Sequence, residues 1–215
     1  MASHRRGRRD SAARCVRRRG DVAAPSAGSR RMSPALRRLY ALWHQPGQDM
    51  DVAWWAALDL ASWREPYAQQ PLLRPPLDDL IARRLGQAGA APPLPAIAEP
   101  LLADEQRREA LCMALGLWAL RCPDYVLLKP YREALSSRLD GRALAQLQAL
   151  LPLEGTRADL TPAMLPARAC EIGAAWLADA AAPALRLCRL LWPPSALLAP
   201  PQPVEPVLQK LLRWL

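Results

Sequence analysis

The chain offers few side chains that could make or break a covalent bond. A serine or cysteine nucleophile needs a neighbouring base, which is often a histidine. The only two histidines are His4 and His44, and His44 lies near a predicted helix end, before Gln45-Pro46. We therefore interpret His44 as a surface or cap residue rather than a general base.

Carboxylates and hydroxyls are also spaced poorly for catalysis. Asp78 and Asp79 are adjacent on a predicted helix, so their side chains point in different directions and cannot face one substrate together. Ser136 and Ser137 lie within a helical segment, not on a strained turn that would expose a nucleophile. The sequence has no glycine-rich phosphate loop. We predict no enzyme activity, no catalytic residue, no cofactor and no small-molecule substrate.

The cysteines do not form a metal-binding pattern. Zinc sites need closely spaced cysteines or histidine partners, and the chain has no Cys-x-x-Cys pair. The five cysteines are Cys15, Cys112, Cys122, Cys170 and Cys188. The last four lie within apolar helical patterns, which favours buried, reduced thiols that pack as small apolar residues. We therefore predict no metal site.

The net charge of +9 is concentrated at one end of the chain. Residues 1–31 contain ten arginines against two acidic residues, whereas the remainder has 19 basic and 18 acidic residues. We predict a disordered, arginine-rich tail over residues 1–32 and a nearly neutral body that is a poor candidate for binding nucleic acid. One alternative is a helical nucleic-acid-binding or regulatory protein that acts through this tail. Another is that translation starts at Met32, so that the tail is not made.

The body is predicted to be helical throughout. After Met32 there are four valines, three isoleucines and two threonines, while the strong helix formers Ala, Leu and Arg dominate. Helix-start signals stand at Ser33-Pro34, Asp51, Pro76, Asp104, Pro130, Asp140, Thr161-Pro162 and Pro183, and Gly86 is a helix-stop signal. The apolar run at 110–122 is shorter than the roughly 20 residues that span a bilayer, so we predict a central core helix there.

The domain organisation follows from the proline-rich breaks. We predict an all-α fold in which one compact multi-helix domain with proline-rich connections covers residues 33–192. A proline-rich arm with a terminal amphipathic helix follows over residues 193–215. On that helix the apolar positions are Val204, Val207, Leu208, Leu211 and Leu215, with Gln209, Lys210 and Arg213 opposite. The apolar side packs either on the helix's own domain or on a partner or membrane surface.

Eight tryptophans raise the question of binding through aromatic side chains. Most are interleaved with Ala and Leu rather than with exposed cations, which favours core packing over stacking on nucleobases. Tryptophan and arginine are enriched at the energetic centres of protein interfaces. We therefore predict that Trp63-Arg64 and Arg189-Trp192 contact a protein partner.

A family resemblance rests on two apolar segments. In GAAWLADAAAPALRLCRLLWP at 173–193, the pattern comprises Gly173, Trp176-Leu177-Ala178, Pro183, Leu187-Cys188-Arg189-Leu190 and Pro193. Upstream, Leu111-Cys112, Leu115-Gly116-Leu117 and Arg121-Cys122 belong to it, and the similarity continues more weakly through 135–152. These segments resemble the YscK/SctK family, the cytosolic adaptors of the sorting platform in bacterial type III secretion systems. The resemblance covers roughly residues 110–193, with weaker support over 34–86.

The resemblance implies an all-helical, non-enzymatic adaptor in the cytoplasm, at the cytosolic face of the inner membrane. Members of that family join the cytosolic domain of the inner-membrane ring protein to the pod protein of the sorting platform. The expected partners are therefore these two proteins, and no nucleic acid is expected. The resemblance carries no binding residues over to this chain.

Overall fold

Every regular element is a helix in the computed structural model, which describes residues 32–151, 155 and 157–214. The α-helices are α1 (Pro34–His44), α2 (Pro46–Asp49), α3 (Ala53–Ala57), α4 (Arg64–Gln69), α5 (Arg74–Arg84), α6 (Glu99–Ala103), α7 (Glu105–Leu120), α8 (Asp124–Leu127), α9 (Lys129–Leu135), α10 (Gly141–Leu150), α11 (Leu165–Ala178), α12 (Pro183–Cys188) and α13 (Val204–Trp214). Short 3₁₀ helices cover Ala61–Trp63, Pro71–Leu73 and Arg189–Leu191. The prediction of an all-α fold is confirmed, whereas residues 1–31 of the predicted tail lie outside the described residues.

Three of the predicted N-terminal caps form as expected. The Ser33 hydroxyl accepts a hydrogen bond from the backbone N–H of Leu36 at 3.2 Å. The carboxylates of Asp104 and Asp140 accept from backbone N–H groups three residues ahead, at 2.6 and 2.7 Å. Each cap satisfies an N–H group that has no partner within its own helix, which is worth about 1 kcal/mol.

The helix expected after Asp51 is shorter than the sequence pattern predicts. Asp51 accepts a hydrogen bond from the backbone N–H of Ala53 at 2.8 Å, but α3 ends at Ala57. Asp59 has a φ of 53°, in the left-handed region that aspartate tolerates better than most residues. The chain therefore turns at Asp59 and continues as a 3₁₀ helix.

Helices α7 and α11 form the centre of the fold. The apolar run of the sequence is the buried part of α7, from Leu111 to Leu117, which confirms its prediction as a core helix. At Gly116 an added Cβ would overlap the backbone of Ala169, and at Gly173 it would overlap the carbonyl of Cys112. The two helices thus pack backbone against backbone at these points.

The last helix, α13, packs against α7. Its residues Val204, Val207, Leu208 and Leu211 are buried, which is the first of the two arrangements considered for the amphipathic helix. The Trp176 indole N–H also donates to the carbonyl of Gln202, at 2.6 Å. The division of residues 33–215 into a domain and an arm stays a prediction. None of the described helices is long and apolar enough to cross a membrane.

Candidate interaction surfaces

The predicted pair Arg189 and Trp192 lies in an intramolecular cluster with Trp54 and Arg108. The Trp54 indole N–H donates to the carbonyl of Trp192 at 2.9 Å, and the Arg189 guanidinium lies 5.6 Å from the Trp54 ring centroid. On the other side, the Arg108 guanidinium lies 6.0 Å from the Trp192 ring. Arg189 and Trp192 are half-buried, and burial lowers the pKa of Arg189. These contacts connect α3 to the segment after α12.

Arg108 is a buried cation without full compensation. Its side chain is 7% exposed, and the nearest carboxylate, Glu105, lies 3.7 Å away and is itself exposed. The Arg108 Nη1 atom has no hydrogen-bond partner among the described residues. Burial lowers the pKa of this guanidinium, and the nearby positive charge of Arg38 lowers it further. A buried charge with so little pairing lowers stability, because its desolvation is not offset.

The other predicted pair, Trp63 and Arg64, is open to solvent. Trp63 ends a 3₁₀ helix and is 46% exposed, and the exposed Arg64 begins α4. In the described part of the chain, no hydrogen bond, ion pair or ring contact joins these residues to Arg189 or Trp192. The structure therefore places the two predicted pairs in different surroundings, one exposed and one enclosed.

A surface groove that the sequence analysis did not predict lies where α7 and α10 begin. Its volume is about 730 Å³, and the end of α13 contributes to its wall. We call it the arginine groove, after the four arginines that line it: Arg107, Arg138, Arg142 and Arg213. Leu139, Leu212 and two alanines supply apolar surface between the charges.

The charges in the arginine groove are unevenly compensated. Arg138 pairs with Glu109 at 2.6 Å. Within the described residues, the exposed side chains of Arg107, Arg142 and Arg213 have no acidic partner. The two carboxylates of the groove, on Asp104 and Asp140, are the N-terminal caps of α7 and α10. The groove therefore combines unpaired cations with two helix N-termini, a combination that favours anionic groups.

A smaller, apolar pocket adjoins the arginine groove. Its volume is about 330 Å³, and its lining includes Met113, Pro166, Ala167 and Trp192. Arg138 lines both the pocket and the groove, so this residue and its partner Glu109 form the wall that they share. Trp192, which the sequence analysis selected, thus contributes one face to an open pocket.

Part of the arginine groove could have been found in the sequence. A capping aspartate is followed by an arginine three residues later at Asp104 and two residues later at Asp140, which places both arginines in first turns. Only the tertiary fold brings the two first turns together with Arg213, which lies far along the chain.

The remaining reactive groups are buried, apart from the half-buried Cys170. Burial raises the pKa of the Cys170 thiol to about 11 and that of Cys188 to about 12, so neither forms a reactive thiolate near neutral pH. Asp78 is buried, and its carboxylate accepts hydrogen bonds from the Tyr67 hydroxyl and the Gly47 N–H, both at 3.0 Å. Among the described residues, no group of three or more His, Cys, Asp or Glu side chains could hold a metal ion.

Comparison with known proteins gives a family match. A family described as type III secretion system subunit matches residues 37–197, which is most of the chain. No curated protein and no solved structure matches the sequence or the fold. The matched span contains both predicted tryptophan–arginine pairs and most of the arginine groove, and it ends before α13.

Proposed function

Since the chain belongs to the family of type III secretion system subunits, we propose that it is a non-enzymatic adaptor of the secretion machinery. It links the cytosolic domain of the inner-membrane ring protein to the pod protein of the sorting platform. Its place is the cytoplasm, at the cytosolic face of the inner membrane. The family match over residues 37–197 is the observation that carries this proposal.

Two further observations support an adaptor over other subunit roles. The sequence resembles the YscK/SctK adaptors in the segments that form α7, α11 and α12. An adaptor also needs separate surfaces for its partners, and the chain has the exposed Trp63–Arg64 surface and the arginine groove on different elements. Interfaces that exchange partners are polar at their rims and are enriched in aromatic and arginine side chains. The Trp63–Arg64 surface has both types, and the groove has arginines next to a pocket lined by Trp192.

Deletion of the gene tests the proposal. We expect the deletion strain to lose effector secretion and pod assembly while its membrane rings still form, because the adaptor joins the two assemblies. Secretion is measured by effector content of the culture medium, and pods and rings by cryo-electron tomography of whole cells. A plasmid copy of the gene should restore both. Normal secretion in the deletion strain would refute the proposal.

A further inference from the structure

We propose that the arginine groove binds an acidic segment of a partner protein, and that an apolar side chain of the same segment enters the adjoining pocket. This inference rests on the proposed adaptor function, because it specifies the chemistry of one docking partner.

The positive charge of the arginine groove favours a negatively charged occupant. Arg107, Arg142 and Arg213 are exposed and lack acidic partners in the described part of the chain. Asp104 and Asp140 do not compensate them fully, because each directs one carboxylate oxygen to a backbone N–H of its own helix. An incoming carboxylate would therefore meet three guanidinium groups, which bind carboxylates through paired N–H donors.

Backbone N–H groups at the groove also favour an anionic occupant. Helices α7 and α10 have 16 and 10 residues, and both begin at the groove. Among the described residues, no group accepts a hydrogen bond from the backbone N–H of Gln106 or Arg142, which both line the groove. These free donors and the positive ends of the two helices favour side-chain carboxylates.

The composition of the groove favours a protein over a nucleic acid. A surface that follows a phosphate backbone presents a continuous row of cations, whereas this groove also contains two aspartates and the side chains of Leu139 and Leu212. The sequence outside residues 1–31 is also nearly neutral, with 19 basic and 18 acidic residues. A short acidic peptide can pair with the arginines through a few carboxylates. A nucleic acid would also place phosphates next to the two aspartates, which would repel them.

The apolar residue of the proposed segment follows from the position of the pocket next to the groove. Arg138, held by Glu109, separates the arginine groove from the pocket formed by Met113, Pro166 and Trp192. A segment lying in the groove would reach the pocket by passing over this one ion pair. A segment with an apolar residue next to acidic residues would therefore be bound in both the groove and the pocket. Binding at two places gives more specificity than charge alone.

A peptide-binding experiment tests the inference directly. The probe is a fluorescein-labelled peptide of six glutamates and one leucine, followed by fluorescence anisotropy at physiological salt. It is titrated with the purified full chain and with the chain that starts at Met32, in which the ten arginines of residues 1–31 cannot bind it. We expect measurable binding to the wild type and at least about tenfold weaker binding to the R107E/R142E/R213E variant, because like charges then face the peptide. The matched control R37E/R84E/R186E changes the net charge equally at exposed positions outside the groove and should bind like the wild type.

A second variant tests the pocket and does not depend on the charge reversal. Ala167 is exposed and lines the pocket, so Ala167→Phe fills the pocket without changing the buried core. It should weaken binding of the leucine-containing peptide and leave binding of an all-glutamate peptide unchanged. Circular dichroism of each variant checks that its helices are intact.

Three outcomes would overturn the inference. They are equal affinity of the wild type and the groove variant, no peptide binding by the wild type, and groove-dependent binding of a single-stranded oligonucleotide instead of the peptide. Secretion assays separate this result from the proposed function. If deletion of the gene abolishes secretion but the groove variant restores it fully, the groove inference fails and the adaptor proposal stands.

Discussion

Gly116 on α7 lies directly against the backbone of Ala169 on α11, and Gly173 on α11 lies against the carbonyl of Cys112 on α7. Each helix therefore supplies one glycine to the contact and meets the partner's backbone there. Such close approach leaves no room for a Cβ atom, since the opposing atoms belong to the main chain and cannot move aside as a flexible side chain can.

Substitution of either central glycine should destabilise the fold. We expect Gly173→Ala to lower the free energy of unfolding by about 2 kcal/mol or more, because overpacking against a backbone forces the two helices apart. Urea denaturation followed by circular dichroism measures the change. Gly141→Ala is the control, because nothing lies within 4 Å of the added Cβ at that helix start. Equal stability of the Gly173→Ala variant and the wild type would contradict the packing described here.

The buried Asp78 carboxylate should be required for stability through its hydrogen bonds. Asp78→Ala leaves the Tyr67 hydroxyl and the Gly47 N–H without their acceptor, so we expect a loss of about 2–4 kcal/mol from two unsatisfied donors. Asp79→Ala, at the exposed neighbouring position, should change stability by no more than about 0.5 kcal/mol. Matching losses in the two variants would show that burial of Asp78 is unimportant.

The same carboxylate should give a pH dependence of unusual sign. Burial raises the pKa of Asp78 above its ordinary value, so folding disfavours the ionised form. Relative to Asp78→Asn, the wild type should therefore gain stability as the pH falls through the raised pKa, and the gain should be complete below about pH 4, near the pKa of an unfolded aspartate. Denaturant titrations of both proteins between pH 4 and 8 measure this difference. A wild type that loses stability relative to Asp78→Asn on acidification would contradict the assignment.

Replacement of the buried Arg108 by an apolar residue should be tolerated. The Arg108→Met variant removes a buried charge whose Nη1 atom has no partner among the described residues, and the methionine still packs on Trp192. We expect the free energy of unfolding to stay within about 1 kcal/mol of the wild type or to rise, as it does when other buried ions are replaced by apolar residues. Thermal unfolding measures it, with the exposed Arg107→Met variant as a control for the mutation itself. A loss above about 3 kcal/mol would mean that the cation–π contact and the Glu105 ion pair outweigh the cost of burying Arg108.

The two predicted tryptophan–arginine pairs should respond differently to substitution. Trp63→Ala alters an exposed side chain, so we expect stability within about 0.5 kcal/mol of the wild type and weaker assembly with a partner. Trp192→Ala removes a half-buried ring over Arg108 and should cost about 2 kcal/mol or more. Urea denaturation and effector secretion together separate these effects. Full secretion by the folded Trp63→Ala variant would exclude Trp63 from the essential interface.

The arginine-rich segment should be dispensable for secretion. A chain that starts at Met32 retains all residues matched by the family, so we expect it to restore secretion to a deletion strain as well as the full-length chain does. Salt-dependent nucleic-acid binding that disappears with residues 1–31, together with loss of secretion, would instead support the alternative of a tail-dependent regulator. Mass spectrometry of the cellular protein identifies the start residue independently.

The helical fold could be predicted because its signals are local. Capping residues such as Ser33, Asp104 and Asp140 act on backbone groups three residues away, so their effect is visible in the sequence. The turn at Asp59 was not predicted. The helical pattern of VAWWAALDLASW continues on both sides of Asp59, so nothing in the sequence indicates that its backbone is left-handed.

The surfaces were harder to predict because they depend on tertiary neighbours. Arg189 and Trp192 were selected as a pair from their types, but the partners that enclose them, Trp54 and Arg108, come from other parts of the chain. The arginine groove forms only where α7, α10 and α13 come together, and residue spacing in the sequence does not predict that they do.

The Glu205 side chain on α13 accepts hydrogen bonds from the backbone N–H groups of Ala181 and Ala182, at 2.7 and 3.2 Å, just before α12 begins. The C-terminal helix thus supplies an acceptor that the entry to α12 lacks locally. Removal of α13 would also uncover the apolar surface on which Val204 and Leu208 now pack. An affinity tag or fluorescent reporter should therefore be inserted in an exposed loop and should not replace α13.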